Sequence, residues 1–194
     1  MAITGTGLLI MAGGGQYGAP IGTLLKYVCG QLEQYNIAYM LSGSVAMSTY
    51  TVPRFTRDID LVIDLQVEDA DTLEAIFAGN YYFHRPSVDE EIRRRGMFNV
   101  IDGTSGLKVD FMVKKQTPYR RNEFARRKQD VAYGVMVWMV AVDDLILSKL
   151  IWIQEYESGQ QKTDIQSLLT DNEIDLDYVR YWIDQLGLKT FGLL

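Results

Sequence analysis

The chain has 194 residues, 47% of them hydrophobic, which suits one domain with at most a small appendage. No apolar run is long enough to span a bilayer, and Leu8-Leu9-Ile10-Met11-Ala12 lacks the basic flank of a signal peptide, so a cytoplasmic protein independent of membranes is expected. The single cysteine, Cys29, excludes an internal disulfide, and a net charge of −6 argues against coating nucleic acid by bulk charge.

Met1 to Pro20 holds six glycines and reads as a flexible or irregular start; Gly13-Gly14-Gly15 lacks the Gly-Lys-Ser/Thr that completes a P-loop. Ile21, Leu24, Leu25, Val28 and Leu32 recur at helical spacing, predicting a helix over 21–36 with Cys29 in its packing face. A strand over 38–42, a helix over 44–50 and a loop through Pro53 follow. The run 58–64 is apolar except for its acids, as a buried strand should be. Next come a helix over 67–77, acidic in its first turns, a strand over 81–84, and a short helix capped by Ser87 that runs to Arg95. Strands over 97–101 and 107–113 are joined by Asp102-Gly103-Thr104-Ser105-Gly106, a hairpin signal. Pro118 starts a helix through Lys128, and 134–140 is the last strand. Helices over 142–156, 160–170 and 175–186 complete the chain, with Gly187 as C-cap.

Chemistry concentrates on two of these strands. Residues i and i+2 of a strand share a face, so Asp58 and Asp60 present two carboxylates side by side. Asp110 lies in a second apolar run, Val109-Asp110-Phe111, where a lone acid is costly to bury unless it is paired or metal-bound. Three carboxylates on neighbouring strands make an all-oxygen site suited to Mg²⁺ or Mn²⁺. The alternative for Asp58 and Asp60 is bonding to loop amides; for Asp110 it is an ion pair with Lys108 or a nearby arginine. Gly43-Ser44 sits at a strand-to-helix junction, where glycine lets a phosphate approach the backbone and Ser44 serves as N-cap or phosphate contact. A phosphate-binding turn beside an acidic metal site provides what nucleotidyl transfer from an NTP requires.

These residues resemble the DNA polymerase β-like nucleotidyltransferase superfamily: Leu41-Ser42-Gly43-Ser44, then Asp58-Ile59-Asp60, then Val109-Asp110-Phe111. Within it, Arg54-Phe55-Thr56-Arg57-Asp58-Ile59-Asp60 and Val142-Asp143-Asp144-Leu145 are similar to minimal bacterial members, including abortive-infection and toxin-type proteins. The resemblance spans roughly residues 37–170. It implies an α/β (α+β) fold with a mixed central sheet flanked by helices: an irregular segment over 1–20, a nucleotidyltransferase core over 21–141 and a helical C-terminal segment over 142–194 packed on it. It also implies two metal ions held by Asp58, Asp60 and Asp110, with Asp110 as general base, and nucleotide contacts from Gly43, Ser44 and Lys149. The expected partners are an NTP and an acceptor, which could be RNA or tRNA, a protein or a small molecule, with a neutralising antitoxin if the protein is a toxin. The competing expectation is a catalytically silent relative that binds or regulates.

Other positions carry less. Lys149 is a phosphate contact or a lysine snorkelling to water, and Asp164 is a candidate partner for it. Arg57 faces away from the acids, His84 has no partner motif, and Trp138, Trp152 and Trp182 read as core. From Arg85 to Lys128 there are twelve Lys/Arg and six Asp/Glu, a local +6 that leaves −12 elsewhere. That basic third is either a solvated face or a landing strip for phosphates.

Overall fold

The computed structural model describes residues 18–194, so most of the expected irregular start lies outside the described residues. Helix α1 (Gly18–Gln34) begins before Ile21 and takes in Pro20, whose missing N–H costs nothing in a first turn. Its buried stripe is Ile21, Leu24, Leu25, Val28, Cys29 and Leu32. The chain continues through β1 (Tyr39–Ser42), α2 (Gly43–Met47), β2 (Asp58–Ile63), a 3₁₀ turn at Val67–Asp69, α3 (Ala70–Ile76), β3 (Tyr81–Tyr82), α4 (Arg85–Arg94), β4 (Met97–Asp102) and β5 (Lys108–Val113). Then come α5 (Pro118–Ala125), β6 (Lys128–Ala132), β7 (Val135–Met139), α6 (Val142–Ile153), α7 (Gly159–Asp171) and α8 (Leu176–Leu186). Among the described residues no helix is long and apolar enough to cross a membrane.

The strands form one mixed sheet in the order β3-β4-β5-β2-β1-β7-β6. The pairs β2–β5 and β1–β7 are parallel and the others antiparallel. Strand alternation sorts the two faces. Ile59, Leu61 and Ile63 of β2, Val109, Phe111 and Val113 of β5, and Phe98 and Val100 of β4 are all buried. Phe111 stacks on Phe98 at 5.1 Å and meets Phe77 at 5.7 Å, tying the loop after α3 to the sheet. The opposite face carries the acids of β2 and β5 and, at β4, the exposed Met97, Asn99 and Ile101.

Three expectations need correction. The helix after β1 starts at Gly43 with Ser42 as N-cap, and no side chain caps it; Ser44 is inside the helix. It ends early because the hydroxyls of Ser48 and Thr49 donate back to the carbonyls of Val45 and Ala46, at 2.6 and 2.8 Å. Lys128 belongs not to α5 but to an unexpected strand, β6, which forms a hairpin with β7. Tyr133 and Gly134, at φ 49° and 77°, make its two-residue turn. Helix α4 starts two residues before Ser87, with His84 at the N-cap position. Gly187, at φ 62°, does end α8.

Helix α6 is buried nearly all round, including Asp143, Asp144 and Lys149. Arg126 holds Asp143 at 2.8 Å and Asp144 at 2.9 Å, and the Tyr178 hydroxyl donates to Asp144 at 2.5 Å. Arg120 donates to both oxygens of the buried Glu123, which also accepts from Ser148. Much of the basic middle third is therefore consumed internally. Arg85, Arg94, Lys108, Lys114, Arg120, Arg126 and Lys128 all pair with carboxylates, so they do not form a free strip for phosphates.

Candidate active site

The parallel register of β2 and β5 sets Asp60 opposite Asp110 and Asp58 opposite Lys108. Ser42 of β1 faces Asp60 from one side, and Asn99 of β4 faces Asp110 from the other. A single row, Ser42–Asp60–Asp110–Asn99, therefore crosses four strands, with Asp58 and Lys108 one pleat along on the same face. The three acids expected to act together do share one strip of the sheet.

Asp60 is held against its electrostatic preference. Burial raises its pKa, and the neighbouring Asp110 and Asp58 raise it further, against the pull of the Ser44 backbone N–H and of Lys149. Gly43 makes this placement possible. Its φ is +62°, and a Cβ there would lie 1.9 Å from Asp60 Oδ2. The close approach that this glycine permits is thus made by the Asp60 carboxylate, whereas a phosphate was the expected visitor.

Asp110 and Asp58 share a cation. Lys108 Nζ lies 2.8 Å from Asp110 Oδ2 and 3.6 Å from Asp58 Oδ1. The hydrogen bond to Asp110 leads in raising the Lys108 pKa, with Asp58 and Asp60 adding to it. The ion pair weighed as the alternative for Asp110 is therefore formed. Among the described residues, no three acidic, histidine or cysteine side chains stand close enough as they lie to enclose a metal ion. The donor set nonetheless fits a hard divalent cation: three carboxylates on one strip, with an ammonium already drawn between two of them.

A second, basic cluster adjoins α2. Arg54 Nη2 donates to Ser44 Oγ at 2.6 Å and to Asp164 Oδ2 at 3.1 Å. Lys149 Nζ donates to the same Asp164 oxygen at 2.8 Å and to Gln161 at 2.9 Å. Gln160 supplies Asp164 with a further bond at 2.9 Å. Burial would raise Asp164, but Lys149, Gln160 and Arg54 outweigh it and hold the carboxyl below the ordinary value. Lys149 goes the other way: burial lowers its pKa, and Asp164 offsets only part of that. Arg54 Nε is buried without a hydrogen-bond partner, an unmet donor beside the Gly43-Ser44 turn.

The expected partnership of Lys149 with Asp164 is present. Arg54 was missed as a site residue; the sequence shows it only as the first residue of the family-like segment through Asp60, and its partner Asp164 is 110 residues away. The Arg57 side chain is exposed. Among the described residues, His84 bonds Ser87, at 2.8 Å, at the start of α4. Trp138 and Trp182 pack against the core, but Trp152 is 58% exposed, contrary to expectation.

A mixed sheet with paired acids on its central strands, and a glycine-serine turn and basic cluster beside them, defines a nucleotidyltransferase of the DNA polymerase β-like kind. Residues 21–189 match the family described as "Nucleotidyltransferase of unknown function (DUF6036)", and the chain belongs to it. No curated protein matches the chain. Among solved structures, the antibiotic-resistance factor ANT(2'')-Ia in solution aligns with a TM-score of 0.60 at 16% identity, over 88% of this chain and 92% of its own. The same protein in complex with adenylyl-2"-tobramycin gives 0.53 at 14% identity, over 84% and 94%. The lincosamide antibiotic adenylyltransferase LnuA, lincomycin-bound, gives 0.50 at 14% identity, over 77% and 97%. At these identities the likeness is one of fold.

Proposed function

We propose that the protein transfers a nucleoside monophosphate from an NTP to a hydroxyl-bearing acceptor in a divalent-metal-dependent reaction. The observation that carries this is the register that puts Asp60 against Asp110, with Asp58 one pleat away, beside the cluster of Ser44, Arg54 and Lys149. Asp58, Asp60 and Asp110 would hold Mg²⁺ or Mn²⁺. A bound ion would neutralise charge on the α-phosphate and lower the pKa of the attacking hydroxyl.

The chain's own groups divide the remaining work. Lys149 and Arg54 are cations held rigidly by Asp164, so they meet the triphosphate with little rearrangement and stabilise the departing pyrophosphate. The unmet Arg54 Nε–H adds one donor directed by the same fork. Asp110 lies on the side of the acid row nearest β4, where it accepts the proton of an acceptor hydroxyl. The open strip of Met97, Asn99 and Ile101 next to it is the surface on which the acceptor lies. ATP and small-molecule hydroxyls come first for testing, because ANT(2'')-Ia with adenylyl-2"-tobramycin and the adenylyltransferase LnuA share the fold.

The test is transfer of label from each α-labelled NTP, with Mg²⁺ or Mn²⁺, onto antibiotics, RNA and lysate fractions. Wild type and Asp60→Asn are compared. Label with wild type alone establishes the chemistry and names the acceptor class. No label from any NTP, together with no metal-dependent NTP binding by calorimetry, would sink the reading.

A further inference from the structure

Lys108 does more than neutralise a neighbour. It reaches forward along β5 to Asp110 and across to Asp58, bridging two of the three acids assigned to metal above. Its side chain is 36% exposed, so it has a way out to solvent, whereas Asp110 beneath it is largely buried. A lysine placed only to stabilise one buried acid would need a single partner. This one sits between carboxylates that belong to different strands and that would otherwise repel one another and Asp60.

We propose that Lys108 is a positioning residue that acts as a resident counter-ion. It holds Asp58 and Asp110 in place before a divalent cation arrives and swings outward when the cation enters. The inference rests on the metal-dependent reading above. It has a consequence for the order of binding. A free ion must displace the ammonium without help, and the partly exposed ion pair opposes it only modestly. An ion arriving as a metal–nucleotide complex also gains the contacts of the triphosphate with Lys149 and Arg54. The metal therefore binds more tightly together with the nucleotide than it does to the empty enzyme. Hard ions that keep oxygen ligands from phosphates suit that sequence.

Two readouts test this without turnover. The first is Mn²⁺ binding by calorimetry to wild type, Lys108→Met and Asp60→Asn. The second is mass-spectrometric labelling of Lys108 in wild type with an amine-reactive ester, with and without Mn²⁺ and an α,β-non-cleavable ATP analogue. The expected result is about fivefold tighter Mn²⁺ binding by Lys108→Met, weak or absent binding by Asp60→Asn, and Lys108 labelling that rises when ion and nucleotide bind together. Unchanged or weaker binding by Lys108→Met, with Asp60→Asn still defective, overturns the counter-ion role and leaves the metal site standing. Equal binding by Asp60→Asn and wild type places the ion elsewhere and overturns both. If Lys108→Met does not fold, the labelling decides: a Lys108 that stays protected in the presence of ion and nucleotide is a static ion pair.

Discussion

At the scale of single residues, two charges of the site, Asp60 and Lys149, are held against their preference. Asp60 has a raised pKa, so its ionised form weakens the metal-free fold as pH climbs from the ordinary carboxylate value, near 4, through the raised one. Asp60→Asn should therefore melt higher than wild type near pH 7. The gap should close as pH falls below the ordinary carboxylate range, where both side chains are neutral; thermal melts across pH check this. A lower melting point at neutral pH would mean that bonds to Asp60 outweigh its repulsion. Asp164 is the opposite case, a carboxylate whose loss would strand Lys149, itself only 5% exposed. Asp164→Asn is expected to cost about 3–5 kcal/mol in denaturant unfolding, because it breaks a buried pair from one side only. On the acceptor side, Asn99→Ala should raise the acceptor KM and leave NTP affinity unchanged, which steady-state kinetics with both substrates can separate. Asp58, Asp60 and Asp110 were readable in the sequence because strand alternation and an acid in an apolar run are local signals. Arg54 was not, because what makes it a site residue is a contact with α7.

At the scale of elements, the turn between β1 and α2 governs the site. Gly43→Ala combines a left-handed backbone, costing about 1–2 kcal/mol, with a Cβ driven into the Asp60 carboxylate. It should lower the melting point and also weaken metal-dependent NTP binding. Calorimetry alongside melting distinguishes it from a merely destabilised protein. Helix α1 was legible because its apolar spacing is unbroken. The β4–β5 hairpin was legible because Asp102 and two glycines mark its loop, and Asp102 does accept from the amides of Thr104 and Ser105. Strand β6 was not. Lys128-Gln129-Asp130-Val131-Ala132 is an edge strand with one neighbour, so only Ala132 is buried and the apolar alternation that betrays a strand is missing. The start of α2 was misplaced for a related reason: serines at 42 and 44 are equally good caps by type, and only the backbone, extended at Ser42, separates them.

At the scale of the whole molecule, α6 is the member that both halves of the chain share. Lys149 on one side of it pairs with Asp164 of α7, while Asp143 and Asp144 at its start accept from Arg126, at the end of α5, and Tyr178 of α8 closes the cluster. The sheet and the C-terminal helices should accordingly unfold together. Trp138 on β7 and Trp182 on α8 report on separate regions, so tryptophan emission and far-UV circular dichroism should share one midpoint. Arg126→Gln should shift that midpoint by about 2 kcal/mol, the guanidinium being partly screened by solvent, without splitting the transition.

The embrace of Gly43 and Asp60 also bears on how lineages of this chain can drift. A side chain at 43 is refused chiefly because the Asp60 carboxylate fills its place. Once an ancestor loses that carboxylate, position 43 keeps only the milder objection of its backbone angle, and residues such as asparagine become admissible. The two sites are therefore expected to change in order, acid first and glycine afterwards. A descendant with the acid gone and the glycine intact would mark a recent loss of the ancestral chemistry, and one lacking both an old loss.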